Sequence, residues 1–87
     1  MQFIVSSRFK KSVRKRPRHI RELVLESLDL LKVDRNHPLI DDHPLGGKLV
    51  GTRSISVSGD LRIQYEPIND DFIRLLDFGT HHELYGS

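Results

Sequence analysis

Residues 53–65 read RSISVSGDLRIQY, with apolar side chains at alternate positions on both sides of the dipeptide Ser58-Gly59. A period of two puts alternate side chains on the same face of a strand. Ser-Gly favours a tight turn between two antiparallel strands. The stretch therefore predicts a β-hairpin with one apolar face, formed by Ile55, Val57, Leu61, Ile63 and Tyr65.

Further apolar runs flank this hairpin along the chain. Residues 72–78 read FIRLLDF, which is apolar at positions of both parities and predicts a central strand covered on both faces. Residues 69–71 read NDD and predict a turn, so the last three strands run antiparallel. Phe3-Ile4-Val5 predicts a short strand near the N-terminus, and residues 81–85 predict a short C-terminal turn.

Helical spacing replaces the period of two between the first strand and the hairpin. Phe9 and Val13 stand four apart after a serine pair at residues 6–7 that is suited to N-cap a short helix. Residues 18–33 carry a wide apolar stripe, and Pro17 fits the first turn of this second helix. The stripe consists of Ile20, Leu23, Val24, Leu28, Leu30 and Leu31.

The order of these elements predicts the fold class. Residues 34–51 show no period and contain two His-Pro pairs, which predicts an ordered loop with a short turn of helix. We expect a single α+β domain over residues 1–87: an N-terminal strand, a two-helix hairpin, then three antiparallel strands forming one sheet with the helices on one face.

Formal charge is distributed unevenly along the chain. Residues 1–37 hold ten Lys/Arg and four Asp/Glu, a net +6, whereas residues 38–87 hold four and eight, a net −4. A basic half indicates an anionic partner, either nucleic acid or an acidic protein. It is equally typical of a solvated helix face, and charge alone leaves these alternatives open.

Composition excludes several classes of protein. The sequence has no cysteine, which excludes disulfides, thiolate zinc sites and thiol nucleophiles. No apolar run approaches the roughly 18 residues of a membrane span, and the apolar start is too short for a signal peptide. We therefore expect a soluble, cytoplasmic protein that has no membrane partner.

Three polar residues stand out as candidates for chemistry. Arg62 lies opposite the apolar face of the hairpin, as either a phosphate contact or an ordinary exposed arginine. His43 and His81 occupy loop positions, and two imidazoles can supply the general base and general acid that RNA cleavage without metal requires. The Asp and His residues follow no known metal-ligand spacing, so we expect no metal and no other cofactor.

Three motifs resemble the RelE/ParE superfamily of bacterial toxins, and within it the YafQ-like branch. They are HPLGGKLVG at 43–51, GDLRIQY at 59–65 and GTHHELY at 79–85. The resemblance implies a RelE-like fold and a ribosome-dependent endoribonuclease that cleaves mRNA, leaving a 2′,3′-cyclic phosphate and a 5′-hydroxyl. It also implies neutralisation by a cognate antitoxin, with operator DNA bound only through the toxin–antitoxin complex.

By position, the resemblance implies roles for particular residues. His43, Asp60 and His81 would be catalytic, and Tyr85 would be the C-terminal aromatic that stacks on or orients a base. Arg53 and Arg62 would contact phosphates. The basic first helix would dock on ribosomal RNA through Lys10, Lys11, Arg14 and Lys15.

The sequence departs from the family pattern at three positions. Ser56 stands where the best-matching nucleases carry histidine, Leu61 where some carry tryptophan, and Asp77 where some carry arginine. Two alternatives therefore stay open. The chain is either a ParE-like toxin that acts on DNA gyrase by protein contact, or a catalytically weakened member that acts mainly by forming complexes with antitoxin and operator DNA.

Overall fold

A computed structural model describes residues 1–86. The chain forms one five-stranded sheet in the order β1-β5-β4-β3-β2 and three helices, which confirms the predicted α+β class. The elements in chain order are β1 (Gln2–Val5), α1 (Ser7–Arg14), α2 (Arg18–Val33), β2 (His43–Pro44), β3 (Arg53–Ser58), β4 (Leu61–Pro67), β5 (Phe72–Thr80) and α3 (His81–Tyr85).

The last three strands are antiparallel, as the hairpin pattern predicts. β1 joins the sheet as a parallel neighbour of β5, and β2 pairs antiparallel with β3 at the other edge. The sequence pattern missed β2, because two residues ending in a proline are too few to show a period of two. The predicted turn of helix in the long loop is present as a 3₁₀ turn at Gly47–Leu49.

Both predicted helices form, and α2 packs against β3 of the hairpin whereas α1 packs against β5. Ser6 caps α1 by accepting a hydrogen bond from the backbone N–H of Phe9, whose side chain is buried. α2 begins directly after Pro17. The core also contains Val24, Leu28, Leu31, Ile40, Ile55, Ile63, Tyr65, Ile73, Leu75 and Phe78. No helix within residues 1–86 is long and apolar enough to cross a membrane.

The apolar run in β5 has a different cause from the predicted one. A register shift pairs Gln64 with Asp77 and Tyr65 with Leu75, which leaves Leu76 as an extra residue in the strand. This β-bulge reverses the alternation, so that Phe78 points into the core instead of Asp77. Phe72 at the start of the strand is exposed, so the strand is not covered on both faces throughout.

A buried carboxylate attaches the long loop to the sheet. Asp42 has only 3% of its side chain exposed. Its Oδ2 lies 2.8 Å from Arg35 Nε, and its Oδ1 accepts hydrogen bonds from Arg53 Nε at 3.0 Å and Tyr65 Oη at 2.7 Å. We call these four residues the Asp42 network. They connect the loop after α2 to β3 and β4.

The ionisation of the Asp42 network agrees with this geometry. Burial acts to raise the pKa of Asp42, but hydrogen bonds from Tyr65, Arg35 and Arg53 outweigh it and hold that pKa below its usual range. Burial, followed by the bond to Asp42, raises the pKa of Tyr65 to about 12. At neutral pH the tyrosine is therefore a neutral donor to a charged acceptor.

The Asp42 network predicts unequal effects for two tyrosine substitutions. Tyr65→Phe should lower the free energy of unfolding by about 1.5–3 kcal/mol, because it removes a hydrogen bond to a charged group. Tyr85→Phe is the matched control, since the Tyr85 hydroxyl is buried without a hydrogen-bond partner in residues 1–86. Urea unfolding followed by circular dichroism measures both, and equal losses would contradict the prediction.

Candidate functional site

The turn of the β3–β4 hairpin lies against the start of α3. The loop consists of Gly59 and Asp60, and Gly59 has a positive φ of 51° that favours glycine. The carbonyl oxygen of Asp60 accepts a hydrogen bond from the backbone N–H of His81 at 3.2 Å. Two residues far apart in sequence are thus brought together. We call Ser56, Asp60, Arg62, His81 and Tyr85 the hairpin-end cluster.

Arg62 is held on this cluster by one edge of its guanidinium. Nη1 donates to the carbonyl oxygen of Gly59 at 2.9 Å and to Ser56 Oγ at 3.1 Å. Arg62 also pairs with Ser56 and Gly79 across the sheet, opposite the helix-covered face. The rest of its fork has the geometry that matches phosphate oxygens.

The rings of His81 and Tyr85 lie at the exposed end of the cluster. They are one helical turn apart in α3, and their centroids are 4.6 Å apart with the planes inclined by 71°. This edge-to-face arrangement favours one orientation of the imidazole. His81 is exposed, so its ring is accessible to a substrate.

Glu83 anchors α3 to the rest of the protein. Thr80 and Glu83 form a capping box, in which each side chain accepts from the backbone N–H of the other residue. Glu83 Oε1 also pairs with Arg16 Nη2 at the end of α1. A Cβ on Gly79 would lie 3.1 Å from Glu83 Oε1, so glycine permits this close approach. Hydrogen bonding to the Thr80 backbone, followed by Arg16, lowers the pKa of Glu83 to about 2.

His43 lies at the opposite edge of the sheet. The residues His43, Ser54, Gln64 and Asp77 form one cross-strand row from β2 to β5. Three strand spacings separate the ends of this row, about 14 Å. His43 Nδ1 lies 2.8 Å from the carbonyl oxygen of Asp41, and its side chain is half exposed. The structure does not bring His43 into the hairpin-end cluster.

Arg53 is also outside the cluster. It pairs with Tyr65 on the helix-covered face, where its Nε binds Asp42. The phosphate contact implied for Arg53 stays a prediction, and any such contact would lie on the helix-covered face, away from the hairpin-end cluster. The sequence already indicated the face on which Arg53 lies, because Arg53 and Ile55 are two positions apart in one strand. The predicted docking residues lie on or directly after α1, and all four are exposed: Lys10, Lys11, Arg14 and Lys15.

A cleft of about 450 Å³ opens on the sheet face that carries Gln64. α1 lines it with Arg8, the 3₁₀ turn with Leu49, and α3 with Leu84. The sheet contributes Gln64, Leu76 and Asp77. We call this the sheet cleft. Within residues 1–86, no three His, Asp or Glu side chains lie close enough together to hold a metal ion.

Sequence reasoning missed the contribution of α1 to this cleft. Asp77 Oδ2 pairs with Arg8 Nε at 3.0 Å, and its Oδ1 accepts from Ser12 Oγ at 2.8 Å. Arg8 and Asp77 are 69 positions apart, and no local pattern connects them. Only the basic composition around Arg8 hinted at a role for this helix.

The chain is a small α+β domain with a cleft on one face of its sheet, and comparisons with known proteins identify its family. The family model described as "Bacterial toxin of type II toxin-antitoxin system, YafQ" matches residues 1–86. The chain therefore belongs to the YafQ family of bacterial type II toxins. A search of curated proteins finds no match.

Solved structures agree with this assignment. YafQ from E. coli strain BL21(DE3) is similar with a TM-score of 0.76 and 28% identity, covering 98% of each chain. The E. coli DinJ-YafQ toxin–antitoxin complex is similar with a TM-score of 0.72 and 26% identity, covering 98% of this chain and 97% of that one. The YoeB/ParE toxin from Agrobacterium tumefaciens shares the fold, with a TM-score of 0.79 and 14% identity over 93% of this chain and 99% of that one.

The low pKa of Glu83 predicts a pH-dependent contribution to stability. This pKa is about 2 in the folded state, against an ordinary value of 4.5, so the contribution is fully present above pH 4.5 and disappears as pH falls towards 2. The stability difference between wild type and Glu83→Gln should follow this course in denaturant unfolding. Glu26→Gln, which removes an exposed α2 carboxylate, is the control. A Glu83→Gln difference that is the same at pH 2 and pH 7 would contradict the prediction.

Proposed function

We propose that this chain is a ribosome-dependent endoribonuclease of a type II toxin–antitoxin system. The observation that carries the proposal is the hairpin-end cluster, which places an exposed imidazole, a carboxylate-bearing turn and a guanidinium at one end of the sheet. These are the chemical groups that phosphodiester cleavage without metal needs: two that move protons and one that stabilises negative charge.

The proposed reaction is attack of the 2′-hydroxyl on its own 3′-phosphate. A general base takes the proton of the 2′-hydroxyl, and the new bond between the 2′-oxygen and phosphorus forms as the bond to the 5′-oxygen breaks. A general acid protonates the leaving 5′-oxygen. The products are a 2′,3′-cyclic phosphate and a 5′-hydroxyl. The proposed proton-transfer pair is His81 and Asp60, which the hydrogen bond between their backbones holds next to each other.

Arg62 and Tyr85 complete the proposed site. The unused part of the Arg62 fork stabilises the phosphorane, and the Tyr85 ring orients both His81 and a base of the substrate. His43 lies on the same face as Arg62 but two strands away, in β2, so we assign it a contact with a more distant part of the same RNA strand. Arg53 has no place in this proposal.

The proposed partners are a cognate antitoxin, the ribosome and its mRNA. The DinJ-YafQ complex supports an antitoxin, since a similar toxin is found bound to one. The basic surface of α1 favours an acidic partner or ribosomal RNA, and operator DNA would be reached only through the antitoxin complex. We propose the cytoplasm as the location, because ribosomes and messengers are found there.

A second candidate is a toxin that acts on DNA gyrase by protein contact. Ser56 and Asp77 favour it, because they stand where some relatives of the resembled superfamily carry histidine and arginine. Expression that induces a DNA-damage response without cleavage of messengers would establish this candidate in place of the first.

The proposed role of His81 predicts loss of activity on substitution. His81→Ala should slow cleavage of a defined messenger on ribosomes by about 10²–10⁴-fold and abolish growth arrest, because it removes a proton-transfer group. The neighbouring His82, also exposed on α3, provides the control variant His82→Ala. Cleavage unchanged in His81→Ala would overturn the assignment of this residue.

The basic surface of α1 predicts salt-dependent docking. Replacing Lys10, Lys11, Arg14 and Lys15 together by glutamine should weaken ribosome binding and reduce the dependence of log K on log salt by up to about 3. Titration of labelled protein with ribosomes at several salt concentrations measures this. If both affinity and slope are unchanged, these residues form only a solvated helix face.

A further inference from the structure

Arg8 is an exposed arginine whose ion-pair partner is not exposed. Its side chain is 79% exposed, and its Nε lies 3.0 Å from Oδ2 of Asp77, whose side chain is only 14% exposed. An exposed ion pair contributes little to stability. This pair nevertheless brings the guanidinium of Arg8 next to the sheet cleft.

The carboxylate of Asp77 is itself held by two further hydrogen bonds. Its Oδ1 accepts from Ser12 Oγ and from the backbone N–H of Phe78, both at 2.8 Å. Ser12 lies on α1, one turn after Arg8, so the helix contacts the carboxylate twice. The carboxylate that pairs with Arg8 is therefore held in place by α1 and β5 together.

Most of the Arg8 fork remains available to a ligand. A guanidinium has five N–H groups, and the pair with Asp77 uses Nε. Among residues 1–86, the two terminal nitrogens of Arg8 have no hydrogen-bond acceptor. The two terminal nitrogens of one planar guanidinium suit the oxygens of a phosphate.

The cleft otherwise lacks a cation for RNA among residues 1–86. Asp77 lies in one cross-strand row with His43, on the sheet face that the proposed function assigns to RNA, and alone it would repel phosphate. Arg8 neutralises it and is the more exposed member of the pair. Arg62 pairs with Gly79, two residues beyond Asp77 in β5 and about 7 Å along the strand. Arg8 and Arg62 thus offer two cationic positions to one RNA strand on this part of the sheet.

We propose that Arg8, positioned by Asp77, binds a phosphate of the messenger strand in the sheet cleft. This inference rests on the proposed function for the identity of the RNA, but its test measures binding as well as cleavage. Arg8 is a substrate-binding residue in this proposal, and Asp77 is a positioning residue.

The test uses ribosomes that carry a messenger with 2′-deoxy nucleotides in the decoding site, which cannot be cleaved. Arg8→Gln should weaken binding about tenfold, as expected for one charge-assisted hydrogen bond, and lower the salt slope by about 0.7–0.9. On ribosomes without messenger, Arg8→Gln should bind like the wild type. An equal loss on both kinds of ribosome would overturn the proposal.

Two double variants separate phosphate binding from neutralisation of Asp77. Arg8→Gln with Asp77→Asn removes both charges, and it should still bind more weakly than the wild type because the phosphate contact of Arg8 is missing. Wild-type binding by this neutral pair would show that Arg8 only neutralises Asp77, and would overturn the proposal. Arg8→Gln with Asp77→Arg places a guanidinium in the cleft again, now on β5, and recovered binding by this variant would support the proposal.

Controls keep this inference distinct from the proposed function. Arg74→Gln removes another ion-paired arginine, at the opposite end of β5, and thermal unfolding of each variant checks folding. A wild type that binds with Arg8 dependence but does not cleave a normal messenger overturns the endoribonuclease and leaves the phosphate site standing. A wild type that cleaves, with Arg8→Gln binding and cleaving equally well, overturns only the phosphate site.

Discussion

One buried carboxylate joins the parts of this fold. The side chain of Asp42 is only 3% exposed, so it requires partners that stay in place, because a buried carboxylate without partners is an uncompensated charge. Arg35 comes from the loop after α2, Arg53 from β3 and Tyr65 from β4, so the groups that satisfy the carboxylate also fix the loop on the sheet. His43 follows immediately in β2. Because side chains alternate along a strand, the burial of Asp42 on one face places His43 on the other.

At the other side of the sheet, α3 is attached by weaker interactions. α3 has only five residues, too few for a helix to be stable by itself in water. Its position depends on the capping box of Thr80 and Glu83 and on the pair between Glu83 and Arg16, which are partly exposed. The two edges of the candidate site therefore differ in rigidity. β2 is fixed by buried charge, whereas the helix that carries His81 is held by surface interactions that solvent can compete with.

The sequence predicted those features that repeat or lie close together in the chain. Alternation of Ile55 with polar neighbours indicated the hairpin, and the stripe in α2 indicated its covering layer. The spacing of Thr80 and Glu83 is also typical of a capping box, although only a turn was predicted there. The bulge at Leu76 could not be predicted, because two consecutive apolar residues are equally typical of a strand that is buried on both faces. The partners of Arg53 and Asp77 depend on tertiary placement, which no single-chain pattern specifies.

The uneven charge of the chain acquires a more specific meaning from the structure. Separate basic and acidic halves suggested that helices dock while the sheet carries the chemistry. The segment that contains α1 instead reaches into the acidic half at two points: Arg8 in α1 pairs with Asp77 in β5, and Arg16, two residues after α1, pairs with Glu83 in α3. The acidic residues of the second half are thus partly the acceptors of basic residues of the first. The exposed lysines of this segment are suited to docking, whereas Arg8 and Arg16 connect it to the elements that carry the candidate chemistry.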